Sequence, residues 1–131
     1  MNQPAARKWI LIVDDDSSVR LMLARVLTNE GYGVLTAANG TDALGLAQTL
    51  SVDLVLLDLN MPGIKGWEIL EEFNAKNIAS SVIIITAMPN QQAAARAAGV
   101  KMVLEKPLDF PSLLRAVSQV LAKPVNSNQS A

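Results

Sequence analysis

Five short apolar runs alternate with segments of helical periodicity, and this alternation constrains the fold more than any other feature. Most of the runs are rich in β-branched residues and lack polar alternation, which is typical of strands buried on both faces of a parallel sheet. The runs are WILIV (9–13), GVLTA (33–37), DLVLL (53–57), SVIIIT (81–86) and KMVLE (101–105). Helices are predicted between and after them, at 17–30, 40–50, 67–76, 90–98 and 110–122. Right-handed crossovers between such strands give a three-layer, doubly wound α/β sandwich.

Capping residues stand at several of the predicted helix boundaries. Asp16 precedes the first helix, and Asp is a favoured N-cap because its carboxylate accepts hydrogen bonds from free backbone N–H groups. Gly31 follows the same helix at the position where a left-handed glycine commonly ends one. Asp109 can cap the last helix, and Pro111 is tolerated in its first turn. These end signals support the helices that periodicity predicts.

The length of 131 residues predicts one domain, and a hydrophobic fraction of 50% is enough to bury a core. We expect this domain to cover 8–122, after an N-terminal extension at 1–7. The polar segment at 123–131 is interpreted as a tail or as the start of a linker.

The composition excludes several classes of chemistry. The chain has no Cys, so it forms no disulfide, and no His, which excludes a Ser–His–Asp arrangement and the commonest transition-metal ligand. A net charge of −1 provides no basic surface for direct nucleic-acid binding. Neither a signal peptide nor an apolar run long enough for a membrane span is evident, so a cytoplasmic protein without membrane contact is expected.

Polar side chains follow or end four of the predicted strands. Asp14 and Asp15 follow the first strand, Asp58 the third and Lys106 the fifth, and Thr86 ends the fourth. Functional sites of open α/β sheets form beyond the carboxyl ends of their strands, so these side chains should share one edge. Clustered carboxylates repel unless one is protonated or a cation lies among them, and ligands with oxygen alone favour Mg²⁺. The sequence therefore predicts a magnesium site that has room for an anion.

Asp58 is also a candidate nucleophile, because carboxylates form acyl phosphates in several enzyme classes. Phosphoryl transfer needs mainly alignment and charge neutralisation, which a metal and Lys106 would supply, while Thr86 could donate a hydrogen bond. The turn at 61–63 would leave space for a donor, and the Asn60 carbonyl could supply another metal oxygen.

Four motifs together resemble the receiver domains of two-component response regulators, over about 8–122. They are ILIVDDD (10–16), LLDLNMPGIKG (56–66), IIITA (83–87) and EKPL (105–108). The resemblance implies a flavodoxin-like sandwich with a five-stranded parallel sheet of order 2-1-3-4-5 and five helices. It also implies a partner histidine kinase or phosphotransfer protein, with a downstream output that the sequence does not identify.

The resemblance further implies a role for each matching residue. Asp58 would accept the phosphoryl group, Thr86 and Lys106 would contact its oxygens, and a cis peptide bond would join Lys106 to Pro107. Asp15 and Asp58 would bind Mg²⁺ directly and Asp14 partly through water, with the Asn60 carbonyl as another ligand. Phosphorylation would shift the surface formed by helix 4, strand 5 and helix 5, although Val103 stands where the family often has an aromatic switch residue.

Two alternative functions remain open at this point. Asp14 and Asp16 fit the D-x-D of a small phosphohydrolase of the haloacid dehalogenase type, but Glu105 and Asp109 are the only acidic residues after Glu72. The other alternative is an interaction module that keeps the receiver-like residues and works without phosphate. Mg²⁺ binding distinguishes this module from a working receiver.

Overall fold

The computed structural model describes residues 7–59, 66–76, 81–100 and 102–122, which form a parallel five-stranded sheet with helices on both faces. The elements are β1 (Trp9–Val13), α1 (Ser17–Asn29), β2 (Gly33–Ala37), α2 (Gly40–Thr49), β3 (Leu54–Asp58), α3 (Gly66–Lys76), β4 (Val82–Thr86), α4 (Gln92–Ala97), β5 (Met102–Glu105) and α5 (Phe110–Leu121). The strand order is β2-β1-β3-β4-β5, so the predicted fold class is confirmed. Among the helices described, none is both long and apolar enough to cross a membrane.

Two apolar layers, one on each face of the sheet, explain why the strand sequences lack polar alternation. β3 and β4 are buried at every position, because helices cover both of their faces. The layer beneath α1 and α5 contains Ile10, Ile12, Leu23, Leu27, Leu54, Leu56, Ile83, Ile85, Leu113, Ala116 and Val117. The layer beneath α2, α3 and α4 includes Leu11, Val13, Ala43, Ala47, Val55, Leu57, Ile69, Leu70, Phe73, Ile84 and Ala95. Each large side chain buried in this way stabilises the fold by about 1.5–3 kcal/mol.

The helix ends carry the capping interactions that the sequence predicts. The Asp16 carboxylate accepts hydrogen bonds from the backbone N–H groups of Ser18 and Val19, and that of Asp109 accepts one from Ser112. Gly31 has φ +96°, the left-handed conformation expected after a helix.

Most predicted elements differ from the structure by a single residue at one end, and the larger differences are at α4 and β3. The helix expected at 90–98 is shorter, Gln92–Ala97, because Asn90 has φ +63° and Gln91 makes no side-chain capping bond. The third strand runs one position later than expected, so Asp58 is its last residue rather than the residue after it. Asp53 lies before the strand, where its Oδ2 accepts a hydrogen bond from the Trp9 backbone N–H at 2.8 Å.

Candidate functional site

Parallel strand register brings three carboxylates together at the carboxyl edge of the sheet. Val13 of β1 pairs with Leu57 of β3, so the residues that follow these two positions, Asp14 and Asp58, lie side by side. One oxygen each from Asp14, Asp15 and Asp58 lies within 4.8 Å of the others. Asp14 and Asp58 are buried, whereas Asp15 is exposed. The cluster is therefore open to solvent on the Asp15 side.

Lys106 brings a positive charge to this cluster. Its Nζ lies 3.3 Å from Asp58 Oδ2 and 4.0 Å from Asp14 Oδ2. Its backbone N–H donates to the Thr86 carbonyl at 2.8 Å, which extends the β4–β5 pairing by one residue and places the side chain at the sheet edge. The peptide bond from Lys106 to Pro107 is cis, as predicted.

Asp14 has an oxygen that its protein surroundings do not satisfy. The Asp14 backbone N–H donates to the Ala37 carbonyl at 3.1 Å, and its Oδ1 accepts the Asp16 backbone N–H at 2.9 Å. Its other oxygen, Oδ2, is buried and has no hydrogen-bond partner among the described residues. A buried carboxylate oxygen in this state is costly, and a bound cation would compensate it.

The Asp14 carboxyl group is correspondingly hard to ionise. Burial raises its pKa above 3.8, and the charges of Asp58 and Asp15 raise it further. The hydrogen bond from the Asp16 backbone and the charge of Lys106 oppose this rise. Oxygen ligands among clustered acidic groups fit Mg²⁺ better than a softer metal, with Asp14, Asp15 and Asp58 as the side chains that would hold it.

Thr86 ends β4 and is fully buried. Its Oγ1 accepts a hydrogen bond from the Met88 backbone N–H at 3.0 Å. Asp58 pairs with Ile85, so Thr86 lies one residue beyond the strand partner of Asp58. Val103, at the position that is often aromatic in the family, is half-buried in β5 and packs against the layer beneath α2, α3 and α4.

The Asp16 side chain caps α1 and is not part of the carboxylate cluster. Its Oδ1 accepts from the Ser18 hydroxyl at 2.8 Å and from the Ser18 and Val19 backbone N–H groups. The Ser18 hydroxyl, followed by the two backbone N–H groups, lowers the pKa of Asp16. A phosphohydrolase with the D-x-D motif would need the Asp16 carboxylate for catalysis. In this structure that carboxylate is occupied by the hydrogen bonds that cap α1. Asn60 and the turn at 61–63 lie outside the described residues.

Sequence reasoning missed two contacts at this site. Arg20 donates from Nη1 to the Asp14 carbonyl at 2.7 Å, and the Met88 backbone N–H donates to Thr86. Arg20 stands in an ordinary helical pattern, and nothing in that pattern distinguishes it from a solvated arginine. The Met88 contact uses a backbone group, so the side-chain sequence carries no signal for it.

With this geometry established, comparison with known proteins identifies the family. The sequence matches the response regulator receiver domain over residues 10–118. The chain belongs to this family and is a receiver domain of two-component signalling rather than a classical enzyme. The resemblance stated from the four motifs is confirmed.

Individual proteins agree with the family assignment. Sporulation initiation phosphotransferase F of Bacillus subtilis is 37% identical over 121 residues, which cover 91% of this chain and 96% of that protein. The Vibrio cholerae chemotaxis protein CheY4 has a similar structure, with a TM-score of 0.83, 32% identity, and coverage of 88% of this chain and 100% of that one. The Thermotoga maritima response regulator TrrA, solved in complex with Mg²⁺-BeF, gives a TM-score of 0.78 and 35% identity, with coverage of 87% and 99%.

Proposed function

We propose that Asp58 accepts a phosphoryl group from a phosphohistidine on a partner histidine kinase or phosphotransfer protein. The histidine must lie outside the 131 residues of this chain, which contain none. An Asp58 oxygen attacks the phosphorus, the phosphorus–nitrogen bond of the donor breaks, and its electron pair stays on the imidazole. The product is an acyl phosphate on Asp58.

The observation that carries this proposal is the Lys106 ammonium, which lies 3.3 Å from Asp58 Oδ2 beside two further carboxylates. Lys106 offsets charge on the phosphoryl oxygens as that charge develops, and Thr86 hydrogen-bonds one of them. Asp14, Asp15 and Asp58 would hold Mg²⁺ together with the Asn60 carbonyl, and the bound ion would neutralise phosphoryl charge. These roles follow from the family motifs at the same positions.

Phosphorylation changes the charge at Asp58 and shifts a two-state equilibrium of the surface formed by α4, β5 and α5. The hydrogen bond from the Lys106 backbone to the Thr86 carbonyl links the end of β4 to the end of β5. A movement of Thr86 toward the phosphoryl group therefore acts on β5 directly. With Val103 in place of an aromatic residue, this route needs no aromatic rotation. The domain acts in the cytoplasm on protein partners, without contact to nucleic acid or membrane.

Labelling by acetyl phosphate with Mg²⁺ tests the acceptor role. The wild-type chain should gain one acid-stable, hydroxylamine-sensitive phosphoryl group, whereas Asp58→Asn should gain none because its side chain is no longer a nucleophile. Asp42→Asn, a change of the same kind at an exposed position of α2, is the matched control and should label like wild type. Labelling of Asp58→Asn as strong as that of wild type would overturn the proposal.

The same preparations test the alternative functions. Hydrolysis of a small phosphoester that is lost in Asp14→Asn but kept in Asp58→Asn would favour a phosphohydrolase. A wild-type chain without Mg²⁺ affinity would favour a module that works without phosphate. Family membership and the capping role of the Asp16 side chain support the receiver over the phosphohydrolase.

A further inference from the structure

Arg20 links helix α1 to the acidic segment by a hydrogen bond that the sequence pattern did not reveal. Its side chain is half-buried, and Nη1 donates to the Asp14 backbone carbonyl at 2.7 Å. This distance is at the short end of the range for N–H···O bonds. Because the donor is charged, the bond is stronger than a hydrogen bond between two neutral groups.

The contact adds a third hydrogen bond to two others that hold Asp14 in place. The Asp14 N–H is held by the Ala37 carbonyl of β2, Oδ1 by the Asp16 N–H, and the carbonyl by Arg20. The Asp14 carbonyl belongs to the peptide unit that joins Asp14 to Asp15. The hydrogen bond from Arg20 therefore restrains the plane of the peptide unit from which the Asp15 residue continues.

Asp15 needs this external support. Its side chain is exposed, and the described part of the chain gives it neither a hydrogen bond nor an ion pair. One of its oxygens nonetheless lies within 4.8 Å of the Asp14 and Asp58 oxygens. Its position in the cluster thus depends on the backbone that carries it.

We propose that Arg20 is a positioning residue for cation binding, which holds the peptide between Asp14 and Asp15 so that the Asp15 carboxylate faces the site before the ion arrives. The proposal rests on the proposed function, since it assigns Mg²⁺ to this cluster. Groups that orient metal ligands without touching the metal commonly change metal affinity when they are removed.

The charge of Arg20 and its hydrogen bond to Asp14 predict opposite changes in Mg²⁺ affinity when Arg20 is replaced. If only its charge mattered, removing a cation near a cation site would strengthen Mg²⁺ binding, since like charges repel. If it positions Asp15, removing the hydrogen bond should weaken binding in spite of the lost repulsion. The sign of the change therefore separates the two roles.

Calorimetric titration with Mg²⁺ alone measures this sign in the unphosphorylated full chain. Arg20→Met keeps the apolar length of the side chain and removes the donor, and we expect its Mg²⁺ affinity to fall roughly tenfold. Arg20→Lys retains a cationic donor and should recover part of the loss. Arg25→Met is the matched control, because it removes the same charge from an exposed position of α1. Its affinity should be unchanged or slightly higher.

Thermal unfolding of each variant without Mg²⁺ gives the independent readout. A positioning role predicts that Arg20→Met is folded, with an affinity loss that exceeds that of any equally destabilised α1 variant. Unchanged or tighter Mg²⁺ binding by folded Arg20→Met would overturn this proposal alone, because Asp58 labelling of wild type would still stand. A wild-type chain that binds no Mg²⁺ would overturn both proposals.

Discussion

At the scale of single residues, Asp14 is placed in a way that favours ligand binding and lowers the stability of the unliganded fold. The residue is only 2% exposed, lies beside two other carboxylates and leaves Oδ2 without a hydrogen bond from the described residues. A buried charge of this kind destabilises the unliganded fold, and Lys106 at 4.0 Å offsets part of the cost.

Asp14→Asn should therefore stabilise the protein while it impairs Mg²⁺ binding. The folded-state pKa of Asp14 lies above its unfolded value of 3.8, so the folded state binds more protons between these two values. Stability falls as the pH rises through this window, and the full penalty is present above it. At pH 7 without Mg²⁺, we expect the neutral amide to raise the free energy of unfolding by about 1 kcal/mol.

Urea unfolding in EDTA measures this difference at pH 7 and again at a pH below 3.8, where it should vanish because both side chains are neutral. The Asn oxygen can still accept the Asp16 backbone N–H, so the comparison isolates the charge. A variant less stable than wild type at pH 7 would contradict this account of Asp14.

At the scale of elements, the β1–β2 pair depends on a glycine opposite a tryptophan. Trp9 and Gly33 are register partners, and a Cβ added at Gly33 would lie 2.5 Å from Trp9 Cδ2. The indole ring therefore occupies the space of the missing side chain. Gly45, within α2, meets no such obstacle, because an added Cβ finds nothing within 4 Å.

These two glycines should respond to alanine with opposite signs. Gly33→Ala should lower the free energy of unfolding by about 1–3 kcal/mol, since the methyl group displaces the indole and strains the strand pair. Gly45→Ala should raise it by about 0.5–1 kcal/mol, because alanine restricts the unfolded chain and favours the helix.

Equilibrium denaturation of both variants is the measurement, and each serves as the control for the other. Trp9→Val should remove most of the additional cost of Gly33→Ala in a double-mutant cycle. Equal effects at the two glycines would show that the indole does not restrict position 33.

At the scale of the whole molecule, the site joins parts of the chain that are far apart in sequence. β1, β3, β4 and β5 each bring a residue to one edge of the sheet. Asp58 and Lys106, which are 48 positions apart in the sequence, are in contact at 3.3 Å. A ligand that binds such a site only in the folded state stabilises the entire domain.

Mg²⁺ should accordingly raise the stability of the chain in a concentration-dependent way. At a free concentration of about 100 times Kd, the expected gain in free energy of unfolding is about 2.7 kcal/mol, and EDTA should remove it. Asp15→Asn should lose most of this gain.

Asp16→Asn supplies the control, because asparagine still caps α1 and the residue does not belong to the carboxylate cluster. Thermal unfolding across a Mg²⁺ series measures the effect. An equal Mg²⁺ response in Asp15→Asn and wild type would exclude Asp15 as a ligand.

Much of the architecture could be predicted because its causes are local. Apolar runs, helical periodicity, and the end signals at Asp16, Gly31 and Asp109 are written in neighbouring residues, and the strand order followed from the four family motifs. The start of α4 was less predictable, because the alanine-rich segment has no side-chain cap to mark it. The positive φ of Asn90, which the side-chain pattern does not reveal, precedes the helix instead.

The sequence by itself determined which polar side chains stand at the strand ends and which chemistry they allow: three aspartates, a threonine and a lysine without histidine or cysteine. Only the tertiary structure decided that Asp14 Oδ2 is buried without a hydrogen bond from described residues, that Arg20 holds the Asp14 carbonyl, and that Trp9 covers Gly33. The physical reason is the range of the interactions. Local pattern reflects hydrogen bonding and periodicity within a few residues, whereas desolvation and side-chain contact depend on strands and helices that meet only after the chain has folded.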